Sequence, residues 1–106
     1  MDISKLMQQA KDMQGKMAAI QEDLAKKIIT GSAGGGMVEV QVNGQGEILA
    51  IKIEDALINT DEKEMLQDLV TAATNDGLRR AKDLSKQEMG QLTGGMNLPD
   101  LTNFLS

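Results

Sequence analysis

The sequence has no cysteine, no histidine, no tryptophan and no tyrosine, and only one phenylalanine and one proline. Each absence excludes something. Without cysteine there is no disulfide, no thiolate nucleophile and no thiolate metal site, a composition that fits a reducing compartment. Without histidine the chain lacks the usual general base near neutral pH and the commonest transition-metal ligand. With a single aromatic ring there is no platform for stacking unpaired bases, which argues against sequence-specific single-strand recognition. No stretch approaches the ~20 consecutive apolar residues of a membrane helix. The start, MDISKLMQQAKDMQGKM, carries Asp2, Lys11 and Asp12 and lacks the apolar run of a signal peptide. These features lead to the expectation of a soluble cytoplasmic protein with no membrane partner.

What is present is one small domain's worth of chain, 106 residues, 41% of them apolar. Aliphatic residues and eight methionines must fill the core. So few large side chains bury only modest area within one copy, so oligomerisation is expected. The net charge of −5 weighs mildly against nucleic acid. Net charge is a sum, however, and binding depends on where the charges lie.

Hydrophobic periodicity divides the chain into helix, strands and helix. Ile3, Ala10, Met17 and Leu24 step by seven, as do Leu6, Met13 and Ile20, which makes three heptads of one apolar seam. This predicts a helix over residues 3–27, capped by Asp2 or Ser4, with Lys27 ending the seam. Ile28 to Thr30 reads as a short strand, and Gly31 to Gly36 as a flexible connection outside the core. Val38, Val40 and Val42 alternate with polar residues, as do Leu49, Ile51 and Ile53, and NGQG between them supplies the glycines of a tight hairpin. Asn59 and Asp61 each offer a capping box with a glutamate three residues on. The second helix is predicted from about 61 to 91, with Leu66, Leu69, Val70, Ala73, Gly77, Ala81 and Leu84 on one stripe and TGG and Pro99 as its stop.

About 30 helical residues span roughly 45 Å, whereas a compact chain of this size is roughly 34 Å across. Either the second helix breaks, near Gly77 or Ser85, or helical arms project from a small sheet and need a partner.

No catalytic constellation emerges. GSAGGG is neither a phosphate-binding loop nor a dinucleotide fingerprint, since no Gly-Lys-Ser/Thr follows it and it opens no helix. Asp61, Glu62 and Glu64 suit a helix cap and dipole better than a metal. Neither enzyme activity nor a cofactor is expected. The basic residues Arg79, Lys82 and Lys86 fall opposite the apolar stripe of the second helix, with Arg80 flanking it. Lys5, Lys16 and Lys27 recur every eleven residues along the first helix, interrupted by Asp12 and Asp23. By pattern alone these are solvated faces.

Four stretches in order, LMQQAKDMQGKM, GGGMVEVQVNGQGEILAIKI, DEKEMLQDLVTAATNDGLRRA and MGQLTGGMNLP, resemble the YbaB/EbfC family of bacterial nucleoid-associated proteins. The resemblance runs from about Leu6 to Pro99, and VNGQGE with EMLQDLVTAATNDGLRRA is its most specific part. It implies an α+β fold: N-terminal helix, three-stranded antiparallel sheet and long C-terminal helix, in a homodimer with projecting helical arms. The domain would cover residues 1–96, leaving 97–106 as a short apolar tail. The resemblance implies a protein placed on the nucleoid that binds double-stranded DNA, as family members do, several of them with little sequence preference. With no aromatic platform for stacking bases, contact through phosphates is expected. The residues carried over as DNA contacts are Lys5, Lys11, Lys16, Lys26 and Lys27 in the first helix, and Arg79, Arg80, Lys82 and Lys86 in the second.

The chain departs from the family in its short lead before Leu6 and in a tail with Asp100 and no basic residue. The alternative expectation is a protein-interaction adaptor or scaffold. It rests on the net negative charge, on Met7, Met13 and Met17, and on Leu98, Leu101, Phe104 and Leu105 of the tail.

Overall fold

A computed structural model describes residues 2–92. The tail 97–106 and the helix stop expected at TGG and Pro99 lie outside the described residues. The elements in order are α1 (Ile3–Lys26), β1 (Ile28–Ala33), β2 (Val38–Asn43), β3 (Ile48–Ile53) and α2 (Lys63–Leu92). Two single 3-10 turns, Asp55–Leu57 and Thr60–Glu62, lead from β3 into α2. The fold is the expected α+β arrangement, with an antiparallel sheet ordered β1-β2-β3.

Asp2 begins α1, its carboxylate accepting from the Ser4 N–H at 3.1 Å. Lys27 stands just past the helix as its C-cap. Asn59, of the two candidate caps, is the one used: its Oδ1 accepts from the Glu62 N–H at 3.0 Å. At the hairpin the Asn43 Oδ1 accepts from the N–H groups of Gln45 and Glu47, both at 3.0 Å. Gly46 takes the positive φ of 86° that this turn requires.

The core lies between the sheet and α2. Val38, Val40 and Val42 of β2 are fully buried, joined by Leu57 and by Ala73 and Ala81 of α2. Small residues on α2 let the helix lie close to the sheet, closest where Gly77 meets Gly31 of β1. A methyl group at Gly31 would run into the backbone of Ala73 and Gly77. This corrects the expectation of a flexible glycine connection. β1 extends through Gly31 to Ala33, and Gly31 is buried because the helix backbone needs its space. The glycine turn proper is confined to Gly34, Gly35 and Gly36, all at positive φ.

α2 runs unbroken through Gly77 and Ser85. The length conflict is resolved by projection: the molecule measures 70 × 26 × 16 Å, with a radius of gyration of 19.1 Å. A globule of this length would have about 13 Å. Along α1 only Leu24 is buried; Ile3, Leu6, Met13 and Met17 of its apolar seam are exposed, as is Met7 beside it.

The second strand of the hairpin differs from simple alternation. Ile53 and Ile51 pair with Val38 and Val40, but Val42 pairs with Ile48, leaving Leu49 as an extra residue in a β-bulge. The residues opposite the core valines are therefore Ile53, Ile51 and Ile48 rather than Ile53, Ile51 and Leu49. Although it shares the valine face, β3 is not covered by α2, and Ile48, Leu49 and Ile51 remain about half exposed.

Candidate nucleic-acid interface

The two helices carry the basic residues, and the structure sorts them by what surrounds each one. Lys5, Lys11, Lys16 and Lys26 lie exposed along α1, and none forms an ion pair among the described residues. Most of this helix is exposed, so these ammonium groups face water.

Lys27 is different. Its Nζ reaches Asp23 at 3.2 Å, one turn back, and binds Glu88 of α2 in a short ion pair. The hydrogen bond to Glu88, more than that to Asp23, holds its pKa above the ordinary lysine value. Lys27 thus joins the base of α1 to the last third of α2, and its charge is already matched by two carboxylates.

The arginines are also engaged. Asp76 projects from α2 toward β1, where its Oδ2 accepts from the Ser32 N–H at 3.0 Å. The same oxygen receives the Arg80 Nε at 3.2 Å, and Arg79 Nη1 lies 3.8 Å from Oδ1. The Ser32 N–H is the largest influence holding the Asp76 carboxyl below the usual aspartate range, with the arginine charges adding to it. Arg79 and Arg80 stay mostly exposed, so they keep donors for a further partner, but part of their charge is balanced.

Lys82 and Lys86 have no such acid. They line a groove of about 400 Å³ bounded by Gln21 of α1, the Gly44–Gln45–Gly46 turn and the Leu78, Ala81 and Ser85 flank of α2. The expected basic stripe Arg79–Lys82–Lys86 is therefore divided, its arginine drawn to Asp76 and its lysines bordering the groove. Sequence reasoning passed over Gln21, Gln45 and Ser85. The only prior signal for them was their position beside basic residues and the hairpin turn.

None of the nine basic residues is near a cluster suited to metal. Among the described residues no group of three or more acidic side chains converges, and no helix is long and apolar enough to cross a membrane.

Comparison with known proteins agrees with this architecture. The family model described as the YbaB/EbfC DNA-binding family matches residues 1–96. A protein of Syntrophobacter fumaroxidans named as a nucleoid-associated protein is 52% identical over 95 residues, covering 90% of this chain and 86% of that one. A protein of the same name from Pelotomaculum thermopropionicum is 42% identical over 100 residues, covering 94% of this chain and 95% of its own. Among solved structures, the crystal structure of an uncharacterized protein from Helicobacter pylori superposes with a TM-score of 0.81 at 32% identity. That match covers 89% of this chain and 99% of the other.

Proposed function

Because this chain belongs to the YbaB/EbfC DNA-binding family, we propose that it is a non-enzymatic, nucleoid-associated protein that binds double-stranded DNA as a homodimer. The contacts are mainly to phosphates, sequence preference is slight, and the consequence is a change in nucleoid organisation or gene expression. The relatives named nucleoid-associated proteins support the setting, a cytoplasmic nucleoid.

The observation that carries the reading is the separation of charge. The molecule is acidic overall, yet Lys5, Lys11, Lys16, Lys26, Lys82 and Lys86 are exposed and in no ion pair among the described residues. A phosphate backbone is met by cations that water alone surrounds, because no internal pair has to be broken first. Arg79, Arg80 and Lys27 contribute less per residue, since Asp76, Asp23 and Glu88 compete for them.

The homodimer rests on the apolar surface that one copy leaves open. Ile48, Leu49 and Ile51 on β3 are exposed, and so is the Ile3–Leu6–Met13–Met17 seam of α1; a second copy covering such surface doubles the basic arms. Pairing copies through this surface turns two modest cationic faces into one clamp.

The test is duplex binding at low salt on two unrelated sequences of equal length. Affinities within about tenfold of each other are expected. A preference of about a thousandfold, the hallmark of base readout, would contradict phosphate recognition.

A further inference from the structure

Resting on the duplex-binding reading above, we propose that the groove between α1, the β2–β3 turn and α2 is a seat for a phosphodiester of the DNA backbone. Lys82 and Lys86 supply the charge, and Gln21 and Ser85 supply neutral hydrogen-bond donors.

Four features of the groove lead to this. First, its lining contains two lysines and no carboxylate. The chain as a whole has 16 acidic and 11 basic residues, so the balance of charge in the groove is opposite to that of the chain. Glu22 and Asp83 are sequence neighbours of lining residues but do not line it.

Second, Lys82 and Lys86 are one helical turn apart, so their stems rise from the same flank of α2 roughly 6 Å from each other. Two ammonium groups from one flank can straddle a single phosphate or take neighbouring ones. Ser85 lies between them on the groove side, and neither its hydroxyl nor the Gln21 amide is held by another group among the described residues.

Third, the turn is a rigid wall. Its N–H groups are all used internally: Gly44 donates to the Leu24 carbonyl at 2.8 Å, Gly46 to the Asn43 carbonyl at 3.0 Å, and Gln45 to the Asn43 side chain. The Gln45 side chain donates to the Gln21 carbonyl at 2.9 Å, tying the turn to α1. A side chain at Gly44 would collide with Leu24. Gly46 faces open space, leaving the mouth unobstructed.

Fourth, Leu78, which is half-buried, contributes apolar surface beside the lysines, over the buried Ala81. An apolar wall displaces water from one side of a bound anion and strengthens its attraction to the ammonium groups. The groove therefore differs from the α1 lysines, which stand in open solvent, and from the arginines, which share Asp76.

The experiment places a carboxylate in the groove. Ser85→Asp and Gln21→Glu are compared with Thr71→Asp, an equal charge on an exposed part of α2 outside the groove. Duplex affinity is measured by fluorescence anisotropy at low salt. The two groove variants are expected to lose about tenfold or more by like-charge repulsion, and Thr71→Asp no more than about threefold. Equal losses in all three, with wild-type binding intact, overturn the groove and leave the duplex reading standing. No binding by the wild type overturns both.

Gln21 is exposed, so Gln21→Glu keeps the test usable should Ser85→Asp unfold. A duplex titration of the wild-type protein followed by amide NMR gives a second reading. Shifts are expected at the Gln21 side-chain amide and at the Ser85 and Gly46 backbone amides. Shifts confined to residues 5–16 of α1 would overturn the seat.

Discussion

Gly31 of β1 and Gly77 of α2 meet backbone to backbone, yet the two glycines are not equivalent. A methyl at Gly31 would collide with the backbone of Ala73 and Gly77, which cannot swing aside. A methyl at Gly77 would lie 3.4 Å from Val42 Cγ1 and 3.5 Å from the Gly31 nitrogen, ordinary contact distances. Gly31→Ala is therefore expected to destabilise the fold by about 1–3 kcal/mol or more, the cost of overpacking. Gly77→Ala is expected to be neutral or to stabilise by up to ~1 kcal/mol, the gain in helix propensity. Urea denaturation of both variants checks this, and equal losses would contradict the asymmetry.

Asp76 fastens α2 to the N–H of Ser32 while holding Arg80. Its carboxyl pKa is depressed in the folded protein, chiefly by the Ser32 hydrogen bond. A depressed carboxyl stabilises the fold above the ordinary aspartate range, and that contribution fades as pH falls through the folded value. Asp76→Asn is expected to melt below the wild type at pH 7, with the two curves converging as pH falls from about 5 downward. A gap that stays constant across that window would show that the charge is not what matters. The same substitution releases Arg79 and Arg80, so duplex affinity is expected to rise by a few-fold at low salt.

Val40 and Ile51 are cross-strand partners on one face of the sheet, yet Val40 is fully buried under α2 and Ile51 is 46% exposed. Helix cover ends at β2. A charge at Ile51 meets solvent in a single copy but would be trapped in an interface between copies. Ile51→Glu is expected to convert the protein to a monomer in sedimentation equilibrium, with its helical circular dichroism largely kept. A mass that remains that of a dimer would remove β3 from the self-association surface.

The hairpin was legible because valines alternate with polar residues and Asn43-Gly44 leaves few other turns available. The α2 stripe was legible for the same kind of reason, with period 3.6 in place of two. Gly31 was not. A glycine-rich run reads locally as a loop, and what demands glycine there is a helix backbone 46 positions further along the chain. The Leu49 bulge was likewise hidden, since Ile48 and Leu49 are both apolar and alternation fits either register.

Within the candidate interface, sequence marked the basic residues but not their partners. Asp76 and Arg80 are four apart, a spacing that pairs on any helix. Glu88 and Lys27 are 61 apart and meet only because α1 and α2 converge at the sheet. The groove was out of reach for the same reason, being assembled from α1, a turn and α2. Helix geometry alone groups Arg79, Lys82 and Lys86 in one stripe, while Asp76 and the groove divide it.

The central claim is that this acidic chain binds duplex DNA through phosphates, using cations that its own acids leave unpaired. The most direct measurement is the duplex binding constant across a salt series. Each phosphate neutralised contributes about −0.9 to the slope of log K against log salt. Two copies each contributing Lys82 and Lys86 predict a slope of about −3.6, steeper as the α1 lysines engage. A slope shallower than about −1 with binding retained would contradict the account, because fewer than two phosphates would then be neutralised.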